Sequence, residues 1–210
     1  MDGTLSVSGS LSCKVMRAQK APLAWKLKNS LTWRFIWGWL VTKLAHGFSK
    51  LTGIVTITSE LRLKHRKVAG EWIDYGVLSY RVVTDTGVGF LVDAWDNSTT
   101  LIKDANYHGC GTGTNAENQT DSALQTESTT ALNPDSTRAT GTRSQPAANQ
   151  YRSVGTLTFD GSAAVTEHGI LTQAATGGGV LWDRSVFSAI NVASGDSIQF
   201  TYTCTLTAGG

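Results

Sequence analysis

The sequence predicts a mainly β protein: an antiparallel β-sandwich of jelly-roll-like type that follows a basic N-terminal arm with a Trp-rich helix. Glycine is frequent, at 22 of 210 residues, and charged residues make up only 16% of the chain, a composition typical of short strands joined by many turns. SIQFTYTCTLT, residues 197–207, alternates apolar with small polar side chains, as does a strand with one face in a core. We assign residues 1–70 to the arm and residues 71–210 to the sandwich.

Two elements are predicted in the first part of the arm. TLSVSGSLSCKV, residues 4–15, alternates with period two and predicts an edge strand that its glycines loosen. The apolar stretch that follows predicts a helix of about sixteen residues, with Ser30 as its N-cap and Gly47 just beyond its last turn.

This helix region is rich in tryptophan, with four between residues 25 and 39. So much aromatic area favours burial against the protein's own domain or a sister subunit. The alternative is a helix in a membrane interface, with basic residues facing the headgroups, but the apolar residues spread around most of the helix. No run of 18 apolar residues exists, which argues against a membrane-spanning helix. The candidate partner contacts are Trp33, Phe35, Trp37 and Trp39.

Charge is divided unevenly along the chain. Residues 1–67 hold twelve Lys or Arg and two acidic residues, a net charge of +10, whereas residues 68–210 carry −8. This division predicts a contact with something acidic. Because the basic residues alternate with apolar ones, DNA and the acidic part of another protein are weighed equally. The basic candidates near the end of the arm are Arg62, Lys64, Arg66 and Lys67.

Strands and one long loop are predicted in the middle of the chain. GIVTITSELRLKHR, residues 53–66, predicts a strand with its basic side chains outward. GVLSYRVVT, residues 76–84, and VGFLVDAW, residues 88–95, predict two more strands, separated by a turn at DTG. The polar stretch 114–150 predicts a loop that reaches outward to bind or wraps a neighbour.

The C-terminal sixty residues contain the clearest strand patterns. Besides residues 197–207, strands are predicted in YRSVGTLTFDG (151–161), AAVTEHGIL (163–171) and VLWDRSVFSAI (180–190), and turn signals stand between them. Glu167 and Arg184 are predicted to form a cross-strand ion pair rather than a catalytic site. Glu167 and His168 cannot share a site, because neighbours in a strand point to opposite faces.

HGCGTGT, residues 108–114, has glycines at alternate positions, as nucleotide-binding loops can. Thr114 stands where the dinucleotide fingerprint needs its third glycine, and no lysine follows to complete a P-loop. We therefore predict a glycine-supplied turn between strands, and no cofactor.

No motif for catalysis or for a metal site is present. The four histidines show no i+2 or i+4 spacing, and the cysteines Cys13, Cys110 and Cys204 are few and widely separated. Small, buried, reduced side chains are the prediction for these cysteines. The sequence thus predicts a protein that is not an enzyme.

Several stretches from residue 78 onward resemble a family of tailed-phage virion structural proteins. A GTGT turn stands before a Thr/Asp/Ala/Leu segment in NYHGCGTGTNAENQTDSAL (106–124), and three strand motifs follow in order: TEHGI (166–170), WDRSVF (182–187) and GDSI running to TY (195–202). The resemblance is less sharp in LSYRVVTDTGVGFLVDAWDN (78–97), and residues 1–60 lie outside it.

The resemblance implies a non-enzymatic virion component assembled in the host cytoplasm, a head decoration or cement protein. Its expected partners are the major capsid protein and copies of itself, as a homo-oligomer such as a trimer. Two alternatives stay open: a tail or baseplate protein, and a host-surface carbohydrate-binding module in which Trp95 and Tyr107 contact sugar rings. The weakest alternative is an enzyme such as a depolymerase, which would need two carboxylates in a groove.

Overall fold

The computed structural model describes residues 19–30, 32–68, 70–96, 99 and 101–209. The strand predicted at residues 4–15, and Cys13 within it, lie outside the described residues.

The described residues form ten strands in two largely antiparallel sheets. In the first sheet the order is β3–β2–β10–β7–β6, with the short β1 added to β3 in parallel; in the second it is β9–β8–β4–β5. The strands are β1 (Gln19–Lys20), β2 (Thr56–Arg66), β3 (Trp72–Val83), β4 (Tyr107–Gly111), β5 (Ala139–Thr140), β6 (Thr142–Ala147), β7 (Gln150–Thr158), β8 (Ala163–Leu171), β9 (Leu181–Val192) and β10 (Ser197–Thr207).

Two places connect the sheets through the backbone. The end of β3 leaves the first sheet and pairs with β9 of the second, Val83 opposite Asp183. On the other side, only Gly141 separates β5 of the second sheet from β6 of the first. At one edge the two sheets therefore share strand β3, and at the other edge a single residue connects them.

The core lies between the sheets and contains side chains from both. The Phe200 ring of β10 lies 4.3 Å from His168 and 6.3 Å from Phe187 across the core, measured between ring centroids. The Trp182 indole N–H donates to the Tyr202 hydroxyl at 2.8 Å. These contacts confirm a mainly β, sandwich-like fold. The strand order does not confirm the jelly-roll.

The C-terminal strand predictions are confirmed. β8 and β10 begin and end at the predicted residues, β9 lies within two residues of its prediction, and β7 ends at Thr158, before the predicted turn at Asp160 and Gly161. On β10, Ile198, Phe200, Tyr202 and Cys204 are buried, while Leu206 at the strand end is 44% exposed. β2 lies in the predicted arm, yet it pairs along its whole length with β10 and along most of it with β3. The sandwich therefore includes β2.

The Trp-rich region forms two helices, α1 (Leu23–Ser30) and α2 (Trp33–Thr52). The prediction of one helix from Ser30 to Gly47 is wrong at both ends. Thr32 is the N-cap, because its Oγ accepts from the Phe35 N–H at 3.3 Å, and Gly53 at φ 76° is the C-cap. Gly47 lies inside the helix. None of the described helices is long and apolar enough to cross a membrane.

The predicted strand at residues 88–95 is wrong, because this segment lies in helix α3 (Asp85–Asp96). Thr84 caps the helix: its Oγ accepts from the Gly87 N–H at 3.0 Å. Gly87 and Phe90 are buried and Leu91 and Ala94 are half-buried, which is the i, i+3, i+4, i+7 spacing of a helix. A short 3₁₀ turn (Ile102–Asp104) follows.

The prediction of an outward-reaching loop at 114–150 is also wrong. Residues 139–140 and 142–147 form β5 and β6. Residues 112–128 lie against the second sheet, where Leu124 is buried and the Ser128 N–H donates to the Cys110 carbonyl at 2.8 Å. Farther along, Leu132 is buried and the Asn133 N–H donates to the Thr158 carbonyl at 3.0 Å, at the end of β7 in the first sheet.

The glycine-supplied turn predicted at residues 108–114 is in fact mostly strand β4. A Cβ at Gly111 would lie 2.6 Å from the Glu167 Oε1 and would clash with the Thr126 carbonyl, and a Cβ at Gly113 would lie 2.5 Å from the same Oε1. These alternate glycines let residues 124–127 lie directly on the sheet.

Candidate functional site

The helices α1 and α2 are attached to the sandwich where the two sheets meet. The Trp25 indole N–H donates to the Ala189 carbonyl at 3.2 Å, and its ring packs edge-on against Tyr75. The buried Asn29 side chain donates to the Leu78 carbonyl at 2.9 Å and accepts from the Ser188 N–H at 3.1 Å. Asn29 thus joins β3 to β9, and α2 leaves the sandwich from this fixed point.

The face of α2 that contacts the first sheet carries mostly small or polar side chains. Phe35 packs against Tyr80 with a 5.5 Å centroid distance. His46 hydrogen-bonds to Thr58 and Thr207, and the Ser49 hydroxyl donates to the Thr207 carbonyl at 3.1 Å. The residues on this face that are buried or half-buried are Phe35, Gly38, Thr42, Ala45, His46 and Ser49.

The opposite face of α2 carries large apolar side chains in contact with water. Trp33 is 72% exposed, Leu44 63% and Leu51 84%, and the Trp33 and Trp37 rings stack at 5.6 Å. At 3.6 residues per turn these side chains lie along one side of the helix. We call this side the outward face of α2; it consists of Trp33, Ile36, Trp37, Leu40, Val41, Leu44, Phe48 and Leu51.

Every charged residue of α2 is cationic. Arg34, Lys43 and Lys50 project from the flanks of the outward face, by their angular positions on the helix. No acidic residue occurs between Asp2 and Glu60 in the sequence. The Arg34 guanidinium lies 3.9 Å from the Glu117 carboxylate, so it has a partner on the sandwich. The surface is therefore an apolar stripe with positive flanks.

The sequence-predicted aromatic contacts separate onto different faces of α2. Trp33 and Trp37 belong to the outward face, Trp39 is 44% exposed at its side, and Phe35 points to the sheet. Among the described residues, none buries the outward face of α2. The exposed apolar side chains do not spread around the whole helix, as the sequence suggested, but lie mostly on one side of it. Burial against another molecule and a helix in a membrane interface therefore both remain as interpretations from the sequence.

The predicted basic residues extend the same surface. Arg62, Lys64 and Arg66 are exposed on β2, alternating with buried Leu61, Leu63 and His65, and Lys67 follows in an exposed loop. The Arg62 Nε donates to Glu60 at 2.8 Å, and the Arg66 guanidinium lies 5.0 Å above the Trp72 ring. Thr58, which contacts α2, lies on the same face of β2 as Arg62, Lys64 and Arg66. This row of basic residues therefore starts close to the helix.

The two predicted sugar contacts are in different settings. Trp95 is 79% exposed near the end of α3. Tyr107 is half-buried in β4, an interior strand between β5 and β8. The structure thus offers one exposed ring rather than a platform built from both.

The predicted Glu167–Arg184 ion pair is confirmed, at 2.8 Å. The buried Glu167 carboxylate also accepts from the backbone N–H groups of Gly113, Gln125 and Thr126, and Arg184 reaches Asp121 at 2.8 Å. A second buried arginine, Arg138, forms two hydrogen bonds to Glu127. The first network holds residues 113–126 on the second sheet, and Arg138 joins Glu127 to the loop after β8 through the Gln173 and Gly178 carbonyls; both roles are structural.

Sequence spacing missed a buried histidine pair. His108 Nδ1 lies 3.0 Å from His168 Nε2, and His108 Nε2 lies 2.8 Å from the Ser153 hydroxyl. The residues stand sixty positions apart, and only the pairing of β4 with β8 brings them together. Burial lowers the pKa of His108 to about 3, and burial together with the neighbouring His108 lowers the pKa of His168 well below its usual value.

The two described cysteines are buried and unpaired as disulfides, as predicted. Burial raises the pKa of Cys110 and of Cys204 to about 12, so both thiols are neutral at ordinary pH.

Residue types alone could have indicated the outward face of α2, because its apolar positions at 33, 37, 40, 44 and 51 keep a three-four spacing. Which face would meet the sheet could not be predicted, since both faces contain apolar residues.

Comparison with protein-family models, with curated proteins and with solved structures finds no match to this chain.

Proposed function

We propose that this chain is a non-enzymatic structural protein of a tailed-phage particle, a capsid decoration or cement protein that stabilises the head lattice through contacts between subunits. The observation that carries the proposal is the outward face of α2. Contiguous apolar side chains of this size in water mark an interaction surface. The motif resemblance supplies the class of particle.

The chemistry of the surface defines its partner. An apolar stripe flanked by Lys43 and Lys50 fits a hydrophobic groove whose rim carries carboxylates. The row of basic residues on β2, beside this stripe, also favours negative charge on the partner. On this proposal the groove belongs to the major capsid protein. Copies of this chain bound at neighbouring grooves contact one another as a homo-oligomer.

The test uses particles of the phage that encodes this chain, purified with the wild-type gene or with the W37D/L44D double substitution on α2. We expect the wild-type chain at a fixed stoichiometry in purified particles, and a loss of at least tenfold in occupancy for W37D/L44D, measured by quantitative mass spectrometry. Particles without the subunit are expected to release DNA at a lower temperature.

W95D is the matched control, since Trp95 is as exposed as Trp33 but lies on α3. It is expected to keep full occupancy. Absence of the wild-type chain from purified particles would overturn the assignment to the virion. Full occupancy of W37D/L44D would overturn the role of α2 but would leave the assignment to the virion intact.

The same variants separate the carbohydrate-binding alternative, which the exposure of Trp95 favours. That function predicts reduced adsorption to host cells for W95D with intact particles. The cement function predicts unchanged adsorption and weakened particles only for W37D/L44D. A tail or baseplate protein would be present in tails separated from heads.

A further inference from the structure

A cleft of about 990 Å³ opens at one end of the sandwich, where β2 begins and β10 ends. Ala105, Trp182 and Cys204 form its buried floor, and Tyr151 is half-buried beside them. Its volume is at the upper end of the range of small-molecule sites, about 300–1,000 Å³. The cleft is therefore large enough for an extended organic ligand.

The mouth of the cleft is also apolar. Val55 is 62% exposed, Ile102 53% and Leu206 44%, and all three line it. Apolar side chains on both the floor and the mouth offer a surface on which a hydrocarbon chain would be buried from water, and such burial is favourable.

The charged groups at the cleft are of one sign. Lys50, Lys103 and Arg143 line it, and no acidic residue is among the described residues that do. The three cations come from α2, the 3₁₀ turn and β6. Since they approach from separate elements, an anion at the mouth could contact more than one of them.

We propose that this cleft binds a single-chain amphiphile with an anionic headgroup. The chain lies on Trp182 and Leu206, and a carboxylate or phosphate headgroup contacts Arg143 and Lys103. None of the apolar residues of the outward face of α2 lines the cleft, and only Lys50 on its flank does, so the proposal does not depend on the function proposed above.

The experiment is calorimetric titration of the full chain with sodium dodecanoate below its micelle concentration. We expect one binding site, no heat with acetate, and affinity at least about tenfold weaker for K103A/R143A, because hydrogen bonds to charged groups contribute about 1.5–3 kcal/mol. Dodecyl phosphate in place of dodecanoate identifies the preferred headgroup. Dodecyltrimethylammonium, with the same chain and the opposite charge, is expected to bind much more weakly.

Two controls locate the site. K64A removes a cation of the β2 row outside the cleft, and L44D places a carboxylate on the outward face of α2; both are expected to keep wild-type affinity. L206D places a carboxylate at the mouth and is expected to abolish binding. Circular dichroism and thermal midpoints check that each variant is folded; if L206D is not, K103A/R143A decides.

Four results would each overturn the proposal: K103A/R143A with wild-type affinity, equal affinity for the cationic amphiphile, loss of binding in L44D, and no heat with either anionic amphiphile.

Discussion

At the scale of single residues, the most unusual feature is a hydrogen-bonded chain inside the core. The Asn106 side-chain oxygen can only accept, so the Ser153 hydroxyl donates to it at 2.7 Å. Ser153 then accepts from His108 Nε2–H, and His108 Nδ1 accepts from His168 Nε2–H. Both imidazoles are neutral in this arrangement. His168 Nδ1 is left as a buried acceptor with no partner in the described structure.

These histidines predict a loss of stability in mild acid. Each is neutral in the fold with a lowered pKa, while in the unfolded chain it titrates near 6.5. The unfolded state therefore binds more protons below pH 6.5, and the free energy of unfolding falls as the pH drops towards the folded pKa, about 3 for His108. The slope is up to about 1.4 kcal/mol per pH unit for each histidine.

The measurement is urea unfolding between pH 7 and pH 5, above the range where most carboxylates titrate. The H168Q variant, with one titrating group fewer, is expected to show about half the pH slope of the wild type. A slope that is the same in both would contradict the assignment.

At the scale of elements, strands were predicted better than helices. β10 follows from alternation, because one face of the strand lies in the core, whereas β8 is buried on both faces and was recognised by the turn signals on either side of it. α3 was mistaken for a strand, since VGFLVDAW reads as a short apolar run, although Thr84 and the spacing of Gly87, Phe90 and Leu91 indicate a capped helix. Which face of α2 meets the sheet is decided by contacts of the helix with Thr58 and Thr207. These contacts depend on the tertiary fold and could not be predicted from the sequence.

The glycines of β4 give a prediction at this scale. G111A places a methyl group against the Thr126 carbonyl and Glu167 Oε1, and it is expected to lower the free energy of unfolding by about 1–3 kcal/mol. The matched control is G89A on α3, where a Cβ meets nothing within 4 Å; it is expected to be neutral or stabilising by up to about 1 kcal/mol. Chemical denaturation measures both, and equal effects would contradict the tight docking of residues 124–127.

At the scale of the whole molecule, the two sheets form one structural unit. β3 passes from one to the other, Gly141 joins them on the opposite side, and Phe200 of the first sheet contacts His168 and Phe187 of the second. The sequence predicted two packed sheets from the number of alternating segments. The shared strand and the histidine pair could not be predicted, because they follow from which strands become neighbours.

This continuity predicts a single unfolding transition. Far-ultraviolet circular dichroism and tryptophan fluorescence are expected to give the same urea midpoint. F200A is expected to destabilise by about 3–5 kcal/mol for both probes, whereas T201A, on the other face of β10, is expected to cost about 0.5 kcal/mol or less. Separate midpoints for the two probes would contradict a single unfolding transition.

The pairing of β10 with both β2 and β7 has a consequence for synthesis. A ribosome releases α2 and β2 early, while the strand that fills the gap between β2 and β7 emerges last among those described. During translation α2, with its outward apolar face, therefore stands in water beside an incomplete sheet, a state prone to aggregation. Yield in a heterologous host is expected to depend on chaperone supply, or on a co-expressed binding protein that captures the helix as it appears.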